Sequence, residues 1–250
     1  MFFFKSKKIV VDCFTDEPGA FEYHPIEKST SKFPSWWKQL PNHVLEPSNV
    51  GIAIERSTMK ACDGFLSLYK NSHVLCAWTD IKLRTDNSNY YYYFGKAPLN
   101  TFHNGIASHN RNQFGPIFDN KIHLKLMSPW YFRQKQSCDF AMMPAIWNDI
   151  DNWNNYTIMP GIGNFKFQHS TNINMFVEKN KTDIFIEAGT PLYHIIPLTE
   201  KQVEFVRHLV TPDELNKIIH SRYGTFLNNY KFIKRFHKEG NKCPFRDKRD

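Results

Sequence analysis

The chain carries eleven histidines, twenty-four acidic residues and five cysteines, which is material for a metal or nucleophile site if the fold gathers it. An iron centre with two histidines and one carboxylate needs three such side chains converging, with coordination positions left open. His103, His109, Asp119, His123, His169, His194 and Asp80 are the available ligands. No HxD or HxH pair, the usual first half of such a site, occurs on any strand-like segment. Asp119 and His123 are four apart. On a strand they share a face about 13 Å apart, too far to share a metal. His103 and His109 sit in an Asn- and Gly-rich stretch where surface imidazoles are the commoner reading. Asp80, an acid inside the apolar run AWTDIKL, either faces solvent, pairs with Lys82 or Arg84, or sits in a cleft.

Other reactive constellations are thin. No GxSxG nucleophile elbow is present. The glycines of PGIGNF at 160–165 lack the Lys-Ser/Thr of a phosphate loop and lead toward a strand, so they read as a turn. Cys13, Cys62, Cys76, Cys138 and Cys243 are odd in number, widely spaced and free of any CxxC pair. That pattern argues against a zinc knuckle or a disulfide scaffold and for free thiols in a reducing compartment. Cys62, in KACDGF, reads as a small half-buried hydrophobe.

Two surface features could bind. Tyr90, Tyr91, Tyr92 and Tyr93 form a run that only a strand uses well, with two rings on each face. One pair can join the core; the other must be exposed, covered by a partner or second copy, or stacked on a base or sugar. The last twenty residues hold eight cations, including Lys231, Lys234, Arg235, Lys238 and Lys242, against three acids. Five of the eight net positive charges therefore lie in this tail. It suits nucleic acid or an acidic partner, or it is a solvated terminal helix.

The elements that must position these groups are mostly strands. IVVDCF at 9–14 reads as a first strand and 16–30 as loop. SKFPSWWKQLP then reads as a short helix capped by Ser31 and ended by Pro41. NVGIAIER, GFLSLY, HVLCAWTDIKL, NYYYYF, IHLKLM, SPWYF, CDFAMMPAIW, NFKFQHS, INMFV, DIFIEAG, PLYHIIP and VEFVRHLV all read as strands. Residues 95–120 read as a long loop, or one with a short strand inside it. Thr211 opens a helix with Pro212 in its first turn, Glu214 three residues on, and Leu215, Ile218 and Ile219 as its apolar stripe. A second helical segment is expected to about residue 238. The expected fold is mainly β, a jelly-roll or cupin-like sandwich or barrel over 1–210, with a helical, basic extension over 211–250 packed on it.

Length and composition fit this. The 250 residues are 41% hydrophobic and 16% aromatic, enough for a sizeable core, and no apolar run approaches a membrane span. Three phenylalanines precede the first lysines, the reverse of a signal peptide.

The motifs FPSWWKQLP, MKACDGFLSLY with LCAWTDIKL, SPWYF, PGIGNFKFQHSTNINMFV, EAGTPLYHIIPL and NKCPF occur in this order over residues 31–245. The set resembles a family of uncharacterised proteins of tailed bacteriophages, especially T4-like marine phages. The resemblance implies a protein of the host cytoplasm or virion and carries no assigned activity. The AGTPLYHIIP run is more loosely similar to late strands of cupin-like proteins. The segment from Pro160 to His169, with Asn172 and Asn174 after it, is similar to their second metal motif, although its spacing departs. That likeness implies a divalent transition metal held by His169, His194 and Asp80, in an Fe(II)/2-oxoglutarate-like oxygenase. The favoured expectation is a non-catalytic virion or host-interaction protein, self-associating or bound to a protein partner. The metal enzyme and nucleic-acid binding by the tail are the alternatives.

Overall fold

The computed structural model describes residues 8–47, 51–87, 89–96, 105–110, 118–166, 169–180 and 182–220. These residues are mainly β, as the sequence implies. Strand β1 (Ile9–Thr15) leads into α1 (Pro18–Tyr23), β2 (Glu27–Lys28), a 3-10 turn and α2 (Ser35–Gln39). The hairpin of β3 (His43–Pro47) and β4 (Ala53–Ser57) precedes α3 (Asp63–Asn71). Then come β5 (His73–Cys76), β6 (Ile81–Asp86), β7 (Asn89–Phe94), β8 (Ile106–Ser108) and the long β9 (Lys121–Gln134). The chain continues through β10 (Phe140–Pro144), β11 (Tyr156–Ile158), β12 (Gly161–Gly163) and β13 (Ser170–Glu178). The described residues end with β14 (Asp183–Ile186), β15 (Pro191–Pro197), β16 (Val203–Leu209) and α4 (Pro212–His220).

One sheet runs β11-β13-β9-β1-β16, with β8 also on β9; a second runs β12-β10-β15-β5-β2. A three-stranded sheet, β14-β6-β7, stands beside them, and β3 pairs with β4. Among the described residues no sheet closes into a barrel, so of the two expected architectures the sandwich fits. The first three sheets share one core. Val11, Leu124, Trp130, Phe132 and Ile173 come from the first, Leu75, Phe140 and Ile195 from the second, and Leu83 and Ile184 from the third. Alternation explains the sharing: in β6 the side chains of Ile81, Leu83 and Thr85 are buried while Lys82 and Arg84 are exposed.

Helix α4 covers the outer face of β1 and β9. Leu215, Ile218 and Ile219 pack on Phe14 and Tyr131 in a second cluster. Its start is the expected capping box: Thr211 N–H donates to Glu214 Oε2 at 2.9 Å, and Glu214 N–H donates to Thr211 Oγ1 at 3.3 Å. The expected second helical segment lies outside the described residues.

Several readings change. In SKFPSWWKQLP Ser31 lies in the 3-10 turn and α2 begins only at Ser35, with Pro34 at its N-cap, so Ser31 does not cap it. GFLSLY is helix α3, because Phe65 and Tyr69, four apart, share a helical face and both are buried there. Residues 18–23 of the expected loop are helix α1, which Pro18 starts with its preset φ. PGIGNF contributes strand β12, paired with β10, in place of a turn. NVGIAIER gives strand β4 as expected, paired with β3 and exposed at every residue. Trp36 and Trp37 both lie near Phe65 of α3, with ring centroids 5.8 Å from it.

Replacing Thr211 by Ala removes the side-chain half of the box. We expect it to lower unfolding free energy by about 1 kcal/mol in urea titration. Wild-type stability would show that α4 is not a fixed part of the cooperative unit.

Candidate functional site

The three-stranded sheet offers one face to the core and one to solvent. Its registers are Phe185↔Lys82↔Tyr93 and, two residues along, Asp183↔Arg84↔Tyr91. These six side chains share the outer face. Tyr91 is 60% exposed, Tyr93 63% and Phe185 48%. Rings left in water to this degree gain much less from folding than the buried rings of the same sheet. The face lines a shallow groove of about 340 Å³.

The inner rows are Ile186↔Ile81↔Phe94 and Ile184↔Leu83↔Tyr92, all but Tyr92 buried. Tyr90 packs on the core, and Tyr92 lies between Tyr90 and Phe94, at ring distances of 6.4 and 5.4 Å. The tyrosine run therefore splits two and two, with Tyr91 and Tyr93 outward. The β6–β7 turn that sets this split holds Asn87 at φ 55°, a left-handed conformation that Asn tolerates.

Both cations lean toward β14. Lys82 Nζ lies 5.8 Å from the Phe185 ring centroid, and Arg84 Nε lies 3.7 Å from Asp183 Oδ1. Strand β14 is itself pinned: Asn152 Nδ2 donates to Phe185 O at 2.9 Å and to Asp149 Oδ1 at 3.0 Å. Tyr156 donates its hydroxyl to Asp149 Oδ2. On the other side Thr85 Oγ1 donates to Glu178 O at 2.7 Å, tying β6 to the end of β13. The face is thus mounted on a braced support. Asp183 and Phe185 have no signal in the sequence, and Lys82 and Arg84 appear there only as possible partners of Asp80. The alternation of IKLRT was the available signal, whereas DIFI, apolar at three of four positions, hides which way Phe185 points.

The predicted metal ligands go to separate places. His194 on β15 is 0% exposed, with Nδ1 3.1 Å from Ser29 Oγ and 3.2 Å from Ser72 Oγ. Its ring stands edge-on to Tyr69 at 4.8 Å. Ser72 Oγ also donates to Leu68 O at 2.6 Å, so this hydroxyl fixes the end of α3. Both serines are fully buried, so no substrate reaches this Ser–His–Ser group. His169 donates from Nδ1 to Phe132 O, and Phe132 N–H returns a bond to His169 O at 2.8 Å. Asp80 braces a corner: its Oδ1 accepts from Ala188 N–H at 2.9 Å and its carbonyl from Gly95 N–H at 2.8 Å. Among the described residues no group of three or more His, Cys, Asp or Glu side chains could hold a metal ion. His109 and His123 stack at 4.4 Å in a column that continues through Phe176 to Phe118.

The thiols are placed as small hydrophobes. Cys13, Cys76 and Cys138 are buried and free, and burial pushes the Cys76 thiol up to about 12. Such thiols are poor nucleophiles because the thiolate is the reactive form. Cys62 is half-buried just before α3. His103, Cys243 and the tail cations Lys231, Lys234, Arg235, Lys238 and Lys242 lie outside the described residues. No helix among the described residues is long and apolar enough to cross a membrane. No protein-family model matches the chain, and no curated protein matches it significantly.

Burial lowers the pKa of His194 from 6.5 to about 4, and that of His73 likewise to about 4, with Lys28 adding to the effect. The unfolded chain binds protons as pH falls through 6.5, while these folded imidazoles stay neutral down to about 4. Stability therefore declines across that window, by up to about 1.4 kcal/mol per pH unit for each histidine. His194→Asn keeps a polar atom toward the serines and has no proton to gain. Urea unfolding between pH 7.5 and 4.5 should give a shallower slope for this variant than for wild type. Equal slopes would overturn the buried neutral state of His194.

Proposed function

We propose that the protein is a non-catalytic binding protein, virion-associated or host-interacting, that engages its partner through the β14–β6–β7 face. The observation that carries this reading is the register that brings Tyr91, Tyr93, Phe185, Lys82 and Arg84 together on one open face. Tyrosine and arginine are enriched in recognition surfaces because they combine contact area with directed polar groups. The braced support keeps the face in one shape, which lowers the entropic cost of association. The groups that would make an enzyme support the same conclusion. His194 is closed from solvent, His169 and Asp80 are committed to backbone partners, and the buried thiols are held protonated. The resemblance to tailed-phage proteins supports the biological setting.

Two measurements test this. Tag-free protein purified without chelator and with oxygen excluded should hold no stoichiometric Fe, Mn, Ni or Zn. About one equivalent, lost on replacing His169 or His194, would overturn the reading in favour of the metal enzyme. Tyr91→Ala/Tyr93→Ala should abolish retention on whichever immobilised ligand retains wild type, drawn from nucleic acids, polysaccharides and the protein itself. Undiminished retention of the double variant would place binding elsewhere.

A further inference from the structure

We infer that the ligand of the β14–β6–β7 face is a single-stranded nucleic acid, a step that rests on the binding reading above. Tyr91 and Tyr93 are two residues apart on one strand, so their Cα atoms are separated by ~6.8 Å. That is about twice the ~3.4 Å rise of stacked nucleotides. Each ring can take one base, with successive bases opened apart as they are on aromatic platforms. Lys82 and Arg84 stand opposite these tyrosines on the neighbouring strand, ~4.8 Å away. Phosphates passing over β6 would meet both cations while the bases lie over β7. Asp183, on the far side of Arg84, repels phosphate and confines the backbone to the β6–β7 side.

Charge and shape select among ligands. The face carries two cations against one carboxylate, which Arg84 approaches, so Lys82 leaves it a net positive charge that favours a polyanion. A neutral glycan would stack on the rings without drawing on the charge of Lys82 and Arg84. A duplex keeps its base faces inside the stack and cannot lay them on Tyr91 and Tyr93. Base-face stacking with backbone charge pairing discriminates little among sequences, so the binding is expected to be sequence-tolerant.

The test uses the full chain and fluorescently labelled oligo-dT and oligo-rU of about twelve nucleotides, with a duplex of equal length beside them. Anisotropy should show single strands bound in preference to duplex, with affinity falling as salt rises. Tyr93→Ala should weaken binding about fivefold or more, and Tyr93→Trp should restore it. Lys82→Gln should make the salt dependence shallower by roughly one phosphate contact. Because Tyr93 and Lys82 are exposed, thermal melting should match wild type in both variants. Three outcomes overturn the inference. Single strands bound equally by wild type and the tyrosine variants would assign the contact to another part of the chain, the basic tail first. No nucleic-acid binding, with Tyr93-dependent retention on a polysaccharide or Tyr93-dependent self-association in sedimentation, would leave the face a binding surface with a different occupant. No binding and no self-association that responds to Tyr91 or Tyr93 would remove the binding reading as well.

Discussion

The fold depends on satisfying both edges of one long strand. β9 runs fourteen residues through the middle of the protein. Buried amide groups left without partners would cost about 1–3 kcal/mol each. On one side β9 pairs with β13 from Lys121 to Tyr131, with a register shift between Ser170 and Asn172. Along its other side it pairs with β8 at Leu124–Leu126 and with β1 at Tyr131–Gln134. The chain therefore brings strands from its beginning, middle and later part to one place. The side chains follow the same economy. Leu124, Leu126, Trp130 and Phe132 face the shared core, while Tyr131 faces α4.

Against this spine the β14–β6–β7 sheet is an annex with a different balance of burial. Its inner rows are covered by the same core, whereas its outer rows have no layer above them among the described residues. Cores order rings by excluding water, but the outer rings here are ordered from below. They are held by strand register, by Asn152 on Phe185 O and by Thr85 on Glu178 O. A loop carrying the same residues would lose more conformational freedom when it bound.

The sequence disclosed those parts where one local rule decides the outcome. Thr211, Pro212 and Glu214 define the start of α4 by chemistry confined to four residues. The alternation of IHLKLM similarly names the buried Ile122, Leu124 and Leu126. It was silent where two periods fit one segment. Phe65 and Tyr69 satisfy a strand or a helix, and the choice was made by Phe33, Trp36 and Trp37 packing on them from a distant part of the chain. The candidate site was half legible. The tyrosine run was visible as a strand with one pair to spare, but Phe185 and Asp183, which share the outer face, come from β14, some ninety residues later. His194 looked like a possible ligand because a sequence cannot show that Ser29 and Ser72 enclose it.

The parallel pairing of β1 with β16 joins residues 9–15 to 203–209, and Asp12 Oδ1 meets His208 Nε2 at 3.0 Å across it. This sets the order of events on the ribosome. β1 emerges first, yet its antiparallel neighbour β9 and its parallel neighbour β16 are both still unsynthesised. At about 5–20 residues per second the wait for β16 is on the order of 10–40 s. Until β9 arrives the first strand is an apolar segment with two open edges, and until β16 arrives it keeps one, a substrate for holding chaperones and a liability for pairing between nascent chains.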